Sequence, residues 1–203
     1  MLNRRMFSSS LILPALAIGS AHAATVGQAA PDFSALDALG KSHKLSDFKG
    51  KHVVLEWTNP GCPFVVKHYG GNMQALQKEF TSKGVVWLSV NSTSKEAADY
   101  LVPAKLMAWK AEKNGSASAV LMDESGSIGR LYSAKTTPHM YIVSPQGVLV
   151  YAGAIDSVPS ARTEDIKTAT NFVRQGLNEA LSGKAISMPS TRAYGCSVKY
   201  KDA

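Results

Sequence analysis

Short apolar runs separated by turn-rich segments predict a chain built around buried β-strands. Four runs are rich in Val, Leu, Ile and aromatic residues, and each is short enough for one strand. They occupy residues 52–57, 85–90, 119–122 and 139–143. A fifth run, 148–151, follows a turn containing Pro145-Gln146-Gly147, and this pattern predicts an antiparallel hairpin.

Helical periodicity is expected between the strands. After Pro63, apolar residues recur at three- and four-residue spacing as far as Phe80, which predicts a helix, bent at Gly70-Gly71. Helices are also predicted over 92–114 and over 163–181. The segment that follows the last helix has no regular pattern.

The order of these elements defines the expected fold class. Strands separated by helices in the first half favour parallel pairing through crossovers, and the later hairpin adds antiparallel strands. Strand-like pieces over 29–50, broken by Gly and Asp, predict a further hairpin before the first buried strand. We therefore expect an α/β protein with a mixed central β-sheet flanked by helices and an N-terminal β-hairpin extension.

The first 23 residues have the pattern of a cleavable export signal. A basic start is followed by a modest apolar stretch, 11–18, and by the small-residue ending Ala21-His22-Ala23. The apolar stretch is shorter than the roughly 20 residues of a bilayer span, so no permanent membrane anchor is expected. Arg4-Arg5 is similar to a twin-arginine signal, with an ordinary secretory signal as the alternative. Cleavage near Ala23-Ala24 predicts a periplasmic protein.

Length and composition indicate one globular domain in the exported chain. The protein has 203 residues, of which 45% are hydrophobic and 18% charged, enough to form a core without many disulfides or a structural metal. We expect the domain to span 24–184, with a C-terminal tail at 185–203.

The charge and the cysteine count narrow the classes of partner. Loss of Arg4 and Arg5 with the signal would lower the formal net charge from +7 to +5. The remaining basic residues are scattered and form no block of the kind that binds nucleic acid. An oxidising compartment lets thiols pair, so the two cysteines of an exported chain predict one disulfide.

Cys62 is the candidate for chemistry. It follows a buried-strand pattern and directly precedes Pro63, a residue suited to the first position of a helix. Its sulfur is therefore expected at the positive end of a helix, where the unpaired amides favour thiolate over thiol. A thiolate there would be a nucleophile toward disulfides or peroxides.

At this point the sequence resembles the thioredoxin-like superfamily, in particular its redoxin or peroxiredoxin-like branch. The segments that resemble the entry of the alkyl hydroperoxide reductase and thiol-specific antioxidant group are 30–33, 45–51 and 53–55. Thr137-Pro138 before a strand is similar to the superfamily's cis-proline loop, which packs against the active-site thiol. The resemblance also implies that Glu56 is the family's buried acidic residue and Cys62 its nucleophilic cysteine.

The chain departs from two patterns of this superfamily. Val65 stands where a Cys-x-x-Cys motif would have its second thiol. Leu55 and Asn59 stand where the peroxiredoxin signature has Pro and Thr or Ser. A standard dithiol reductase and a standard peroxiredoxin are therefore both in doubt, and the resemblance leaves Cys196 of the tail as the candidate partner of Cys62.

The remaining candidate residues each have two interpretations. Glu56 is either a buried proton relay to Cys62, as the resemblance implies, or a strand residue that faces solvent. Lys67 and His68 are interpreted as surface or packing residues, as is His139. Copper carriers with this fold use a second nearby cysteine, so neither a metal nor another cofactor is expected.

The leading functional hypothesis is an exported thiol-disulfide oxidoreductase of peroxiredoxin-like type. Its substrate would be a protein disulfide, and an exported or membrane thiol reductant would reset it. The close alternative is an antioxidant thiol peroxidase that reduces hydroperoxides. A third hypothesis is a non-catalytic binding module in which a Cys62–Cys196 disulfide is only a structural clasp. The oligomeric state is left open.

Overall fold

A computed structural model of the protein describes residues 23–201. The predicted export signal lies outside the described residues, apart from Ala23. Within the described part, no helix combines the length and the apolar character that crossing a bilayer requires.

The central sheet has five strands and mixed pairing. Its strands are β3 (Val53–Trp57), β4 (Val86–Asn91), β5 (Ala119–Met122), β7 (His139–Val143) and β8 (Leu149–Gly153), in the order β5-β4-β3-β7-β8. Strands β3, β4 and β5 pair in parallel, whereas β7 pairs antiparallel with both β3 and β8. The predicted α/β class and its mixed sheet are confirmed.

Two short pairs of strands lie outside the central sheet. The predicted N-terminal hairpin is β1 (Ser34–Leu36) with β2 (Ser42–Lys44). The second pair is β6 (Thr136–Thr137) with β9 (Cys196–Ser197), also antiparallel. This second pair joins the C-terminal tail to the segment that precedes β7.

Three helices supply buried faces to one side of the sheet. They are α1 (Pro63–His68), α2 (Asn72–Ser82) and α5 (Phe172–Leu181). The other α-helices of the described chain are α3 (Pro103–Glu112) and α4 (Ser127–Leu131). Strand β3 is buried along its whole length, and its side chains alternate between two apolar clusters. Val54 lies in the cluster that includes Cys62 and the buried faces of α1, α2 and α5, and Trp57 lies in the cluster on the opposite face.

Two predicted helices are shorter than expected. Residues 92–102 contain no helix, because Ser92 donates to Asp123 and the Thr93 amide is held by Asn91, so local polar bonds replace the helical pattern. Thr163–Lys167 forms only a 3-10 turn, and α5 begins after Asn171, whose side chain accepts from the Arg174 amide.

Candidate active site

Cys62 lies at the end of the loop that connects β3 to α1, as the sequence predicts. It is the N-cap residue of α1, with Pro63 at the first helical position, and it is 2% exposed. Asn59 holds this loop: its side-chain oxygen accepts from the Gly61 amide at 2.8 Å, and its amide group donates to Asp99 at 2.7 Å. The thiol is therefore fixed at the edge of the sheet by the backbone and by a single asparagine.

The segment before β7 forms the second side of the site. The Thr137–Pro138 peptide bond is cis, as expected from the sequence. The Cys62 thiol donates to the Thr137 carbonyl oxygen at 3.0 Å. The Thr137 hydroxyl is buried and has no hydrogen-bond partner among the described nitrogen and oxygen atoms. Thr137 thus contacts the sulfur through its carbonyl oxygen.

The C-terminal tail brings the second cysteine to this site. Cys196 is the direct cross-strand partner of Thr137 in the β6–β9 pair, although it is 59 positions further along the chain. Val198, two residues on, is buried in the apolar cluster on the opposite side of the sheet from α1. Both cysteines are free thiols here, Cys62 buried and Cys196 half-buried. The tail, which has no regular sequence pattern, is therefore docked on the domain.

The two thiols have opposite acidities. Burial alone would raise the pKa of Cys62, but hydrogen bonds from the Cys196 thiol, from Thr137 and from the Val65 amide outweigh burial and lower it. Burial, together with the hydrogen bond to Cys62 and its negative charge, raises the pKa of Cys196 to about 11. Of the two thiols, Cys62 is therefore the one that loses its proton first as the pH rises.

Glu56 is fully buried, so the interpretation that it faces solvent is wrong. It lies two residues from Val54 on the same face of β3, the face on which Cys62 packs. Four side chains donate to its carboxylate within 3.1 Å: Tyr69, Gln77, Trp87 and Ser89. Burial raises the pKa of Glu56, and these four hydrogen bonds oppose the increase only in part.

A group of buried polar residues lies further along α1, where the sequence analysis expected surface or packing side chains. The side chains of Lys67 and His68 are 0% exposed and that of Asp156 is 2% exposed. We call these three residues the buried polar cluster. Tyr194 of the tail places its hydroxyl within hydrogen-bond distance of all three. This cluster could not be predicted from the sequence, because a Lys-His pair on a helix usually lies in solvent.

His139 belongs to the packing of the site region. Its ring centroid lies 4.5 Å from that of Tyr141, and its Nδ1 lies 3.1 Å from the Tyr141 hydroxyl. Burial lowers the pKa of His139 to about 4, so it is neutral at physiological pH. The packing interpretation of His139 is confirmed.

Comparison with known proteins agrees with this architecture. The AhpC/TSA family matches residues 26–152. The thioredoxin-like protein YneN of Bacillus subtilis is 33% identical over 123 residues, which cover 61% of this chain and 68% of YneN. The thiol-disulfide oxidoreductase ResA of Geobacillus kaustophilus is 28% identical over 126 residues, covering 62% of this chain and 67% of ResA.

The similarity in structure extends over most of the chain. A hypothetical protein from Sinorhizobium meliloti 1021 has a crystal structure that superposes with a TM-score of 0.78 at 23% sequence identity. The match covers 90% of this chain and 98% of that one. It supports the fold rather than a particular reaction.

The fold and the free thiol at the start of α1 define a thioredoxin-like, thiol-based oxidoreductase. Within that class, the chain belongs to the AhpC/TSA family.

Proposed function

We propose that the protein is an exported thiol-disulfide oxidoreductase in which Cys62 attacks a protein disulfide and Cys196 completes the reaction. One observation carries this proposal: the tail places Cys196 directly opposite Thr137, whose carbonyl oxygen accepts from the Cys62 thiol at 3.0 Å. The family membership and the relatives YneN and ResA support the reaction class. Export rests on the sequence pattern of residues 1–23.

In the first step, the Cys62 thiolate attacks one sulfur of the substrate disulfide. A Cys62–substrate disulfide forms, and the other substrate sulfur leaves as a thiolate that takes a proton from solvent. The lowered pKa of Cys62 makes it the first of the two thiols to become a thiolate, and the Thr137 carbonyl oxygen lies 3.0 Å from the sulfur.

In the second step, Cys196 loses its proton and attacks the Cys62 sulfur. An internal Cys62–Cys196 disulfide forms and the substrate leaves as its second thiolate, so the substrate has gained two electrons. Two of the three largest causes that raise the pKa of Cys196 come from the Cys62 sulfur and its charge. Forming the mixed disulfide removes that charge, so the first step lowers the pKa of Cys196 and prepares it to attack.

We assign Glu56 the role of a buried proton relay for Cys62. Its burial on the Cys62 face of the sheet and its raised pKa support the assignment. An exported or membrane dithiol would then reduce the internal disulfide by two electrons and complete the cycle. The domain at 24–184 and the tail at 185–203 supply one cysteine each.

The test is to react the reduced protein with an oxidised protein substrate and to follow the masses of its peptides. We expect one cross-linked peptide pair containing Cys62 and Cys196, no reaction with Cys62→Ser, and a trapped mixed disulfide with Cys196→Ser. Full activity of the Cys62→Ser protein would overturn the proposal. A cross-link that forms without turnover of any disulfide would favour the structural clasp.

Membership of the AhpC/TSA family favours a second candidate, a thiol peroxidase. Cys62 thiolate would take one oxygen from a hydroperoxide and become a sulfenic acid, and Cys196 would condense with it to release water. Stopped-flow oxidation of the reduced protein by hydrogen peroxide, compared with oxidation by a protein disulfide, separates the two. Faster oxidation by the protein disulfide supports the leading proposal.

A further inference from the structure

The tail crosses α1 with two contacts in a fixed register. Strand β9 pairs Cys196 with Thr137, and both Tyr194 and Cys196 pack against the apolar cluster that includes Cys62. Cys196 packs against the cluster that contains Cys62, at the start of α1, and Tyr194 contacts Phe64 and the buried polar cluster further along the helix.

Tyr194 makes more polar and ring contacts than a residue that serves only in packing. Its hydroxyl donates to Asp156 and lies 3.4 Å from the Lys67 ammonium and 3.2 Å from His68 Nε2. Its ring makes an edge contact with Phe64, with the centroids 5.8 Å apart, and the Lys67 ammonium lies 5.6 Å from the ring centroid.

The remaining groups of the cluster are also fully occupied. Lys67 donates to the Val158 carbonyl at 3.1 Å and pairs with Asp156 at 3.4 Å. His68 Nδ1 is bonded to the Asn72 amide at 2.8 Å, and burial lowers the pKa of His68 to about 4, so the ring is neutral. Buried charges are costly unless every partner is in place. Among the described residues of the tail, Tyr194 is the partner of this cluster.

We propose that the buried polar cluster receives Tyr194 and thereby positions Cys196 for its attack on Cys62. This inference rests on the proposed function, because it assigns a positioning role within the second step. The tail must move aside when substrate reaches Cys62, which is 2% exposed with the tail docked. Return of Tyr194 to the cluster restores the register, and with it the high local concentration of the Cys196 thiol.

The test measures the two steps separately. Reduced protein is mixed with one equivalent of 5,5′-dithiobis(2-nitrobenzoate), an aromatic disulfide that releases a coloured thiolate. Attack by Cys62 releases the first coloured thiolate, and attack by Cys196 on the mixed disulfide releases the second. In the Tyr194→Phe protein we expect an unchanged first phase and a second phase slowed about tenfold, the effect of losing a hydrogen bond to a charged group.

A matched control removes a tyrosine hydroxyl elsewhere. Tyr100 donates to a carboxylate, that of Glu124 at 2.5 Å, but lies outside the tail. Tyr100→Phe should leave both phases unchanged. Thermal unfolding of each variant checks that Tyr194→Phe is folded, which we expect because Tyr194 is half-buried and its ring contact with Phe64 remains.

The possible results separate the inference from the proposed function. A second phase in Tyr194→Phe as fast as in the parent protein, or an equal slowing in Tyr100→Phe, overturns the positioning role alone. Release of only one thiolate by the parent protein removes Cys196 from the reaction, so that both proposals fail. Slowing of the second phase alone, confined to Tyr194→Phe, supports the inference.

Discussion

Gly195 crosses the Thr137 carbonyl so closely that no side chain fits between them. A Cβ built on Gly195 would lie 2.1 Å from the Thr137 oxygen, and the backbone of Gly195 has φ +140. Both observations require glycine, the first because of contact and the second because L residues rarely adopt this conformation. The glycine therefore lets the tail come close enough for Cys196 to pair with Thr137.

Replacing Gly195 with alanine should move the tail away from the site. Because the added methyl group would meet backbone rather than a flexible side chain, strand β9 must shift. We expect formation of the Cys62–Cys196 disulfide to slow at least about tenfold, which corresponds to about 1.4 kcal/mol in the barrier. Timed alkylation followed by mass measurement gives the rate.

Gly183→Ala is the matched control for this substitution. Gly183 also has a positive φ, +72, but nothing lies within 4 Å of its built Cβ. Gly183→Ala should introduce a backbone strain of roughly 1 kcal/mol without slowing formation of the Cys62–Cys196 disulfide. Equal rates in Gly195→Ala and the parent protein would show that close approach to Thr137 is unnecessary.

The contact between the thiols predicts how Cys62 responds to changes at Cys196. Cys196→Ala removes a donor that lowers the pKa of Cys62, so the pH midpoint for alkylation of Cys62 should rise. Cys196→Ser keeps a donor at the same place and should leave the midpoint closer to that of the parent. The measurement is the rate of iodoacetamide labelling of Cys62 across a pH series. Identical midpoints in the alanine and serine variants would argue against this contact.

The sequence was sufficient to predict the sheet and the position of Cys62. Buried strands such as β3 and β4 have apolar runs, and Pro63 marks the start of a helix, so local chemistry determines both. The extra helix predicted over 92–102 was wrong because side-chain bonds, such as that of Ser92 to Asp123, depend on a strand far along the chain.

The docking of the tail could not be predicted in the same way. Strand β9 is only two residues long, and its partner β6 is equally short, so neither has a periodic pattern. The buried polar cluster was missed for a related reason. Lys67 and His68 are buried because Tyr194 and Asp156 cover them, and that contact joins residues more than 80 positions apart.

The cap of α5 gives a prediction about stability alone. The Asn171 side chain accepts from the Arg174 amide at 2.9 Å, which satisfies one free donor of the first turn. Asn171→Ala should lower the free energy of unfolding by about 1 kcal/mol. Urea unfolding measures the change, and Asn178→Ala on the exposed side of the same helix is the control. An equal loss in both variants would argue against a capping effect.

Glu56 should make stability depend on pH in a defined direction. Because burial raises its pKa in the folded protein, the folded state holds the proton more tightly than the unfolded chain. The stabilisation is complete below the ordinary glutamate pKa and is lost as the pH rises through the raised value. In Glu56→Gln this group no longer ionises, so the stability of the parent relative to the variant should fall across the pH range above the ordinary glutamate pKa.

Urea unfolding of both proteins across that range measures the difference. Glu112→Gln is the control, because the Glu112 side chain is 68% exposed and its removal should give a difference that hardly changes with pH. A parent-minus-variant difference for Glu56 that rises with pH would mean that the folded protein favours the carboxylate. The four donors around Glu56 would then outweigh its burial and hold its carboxylate in the ionised form.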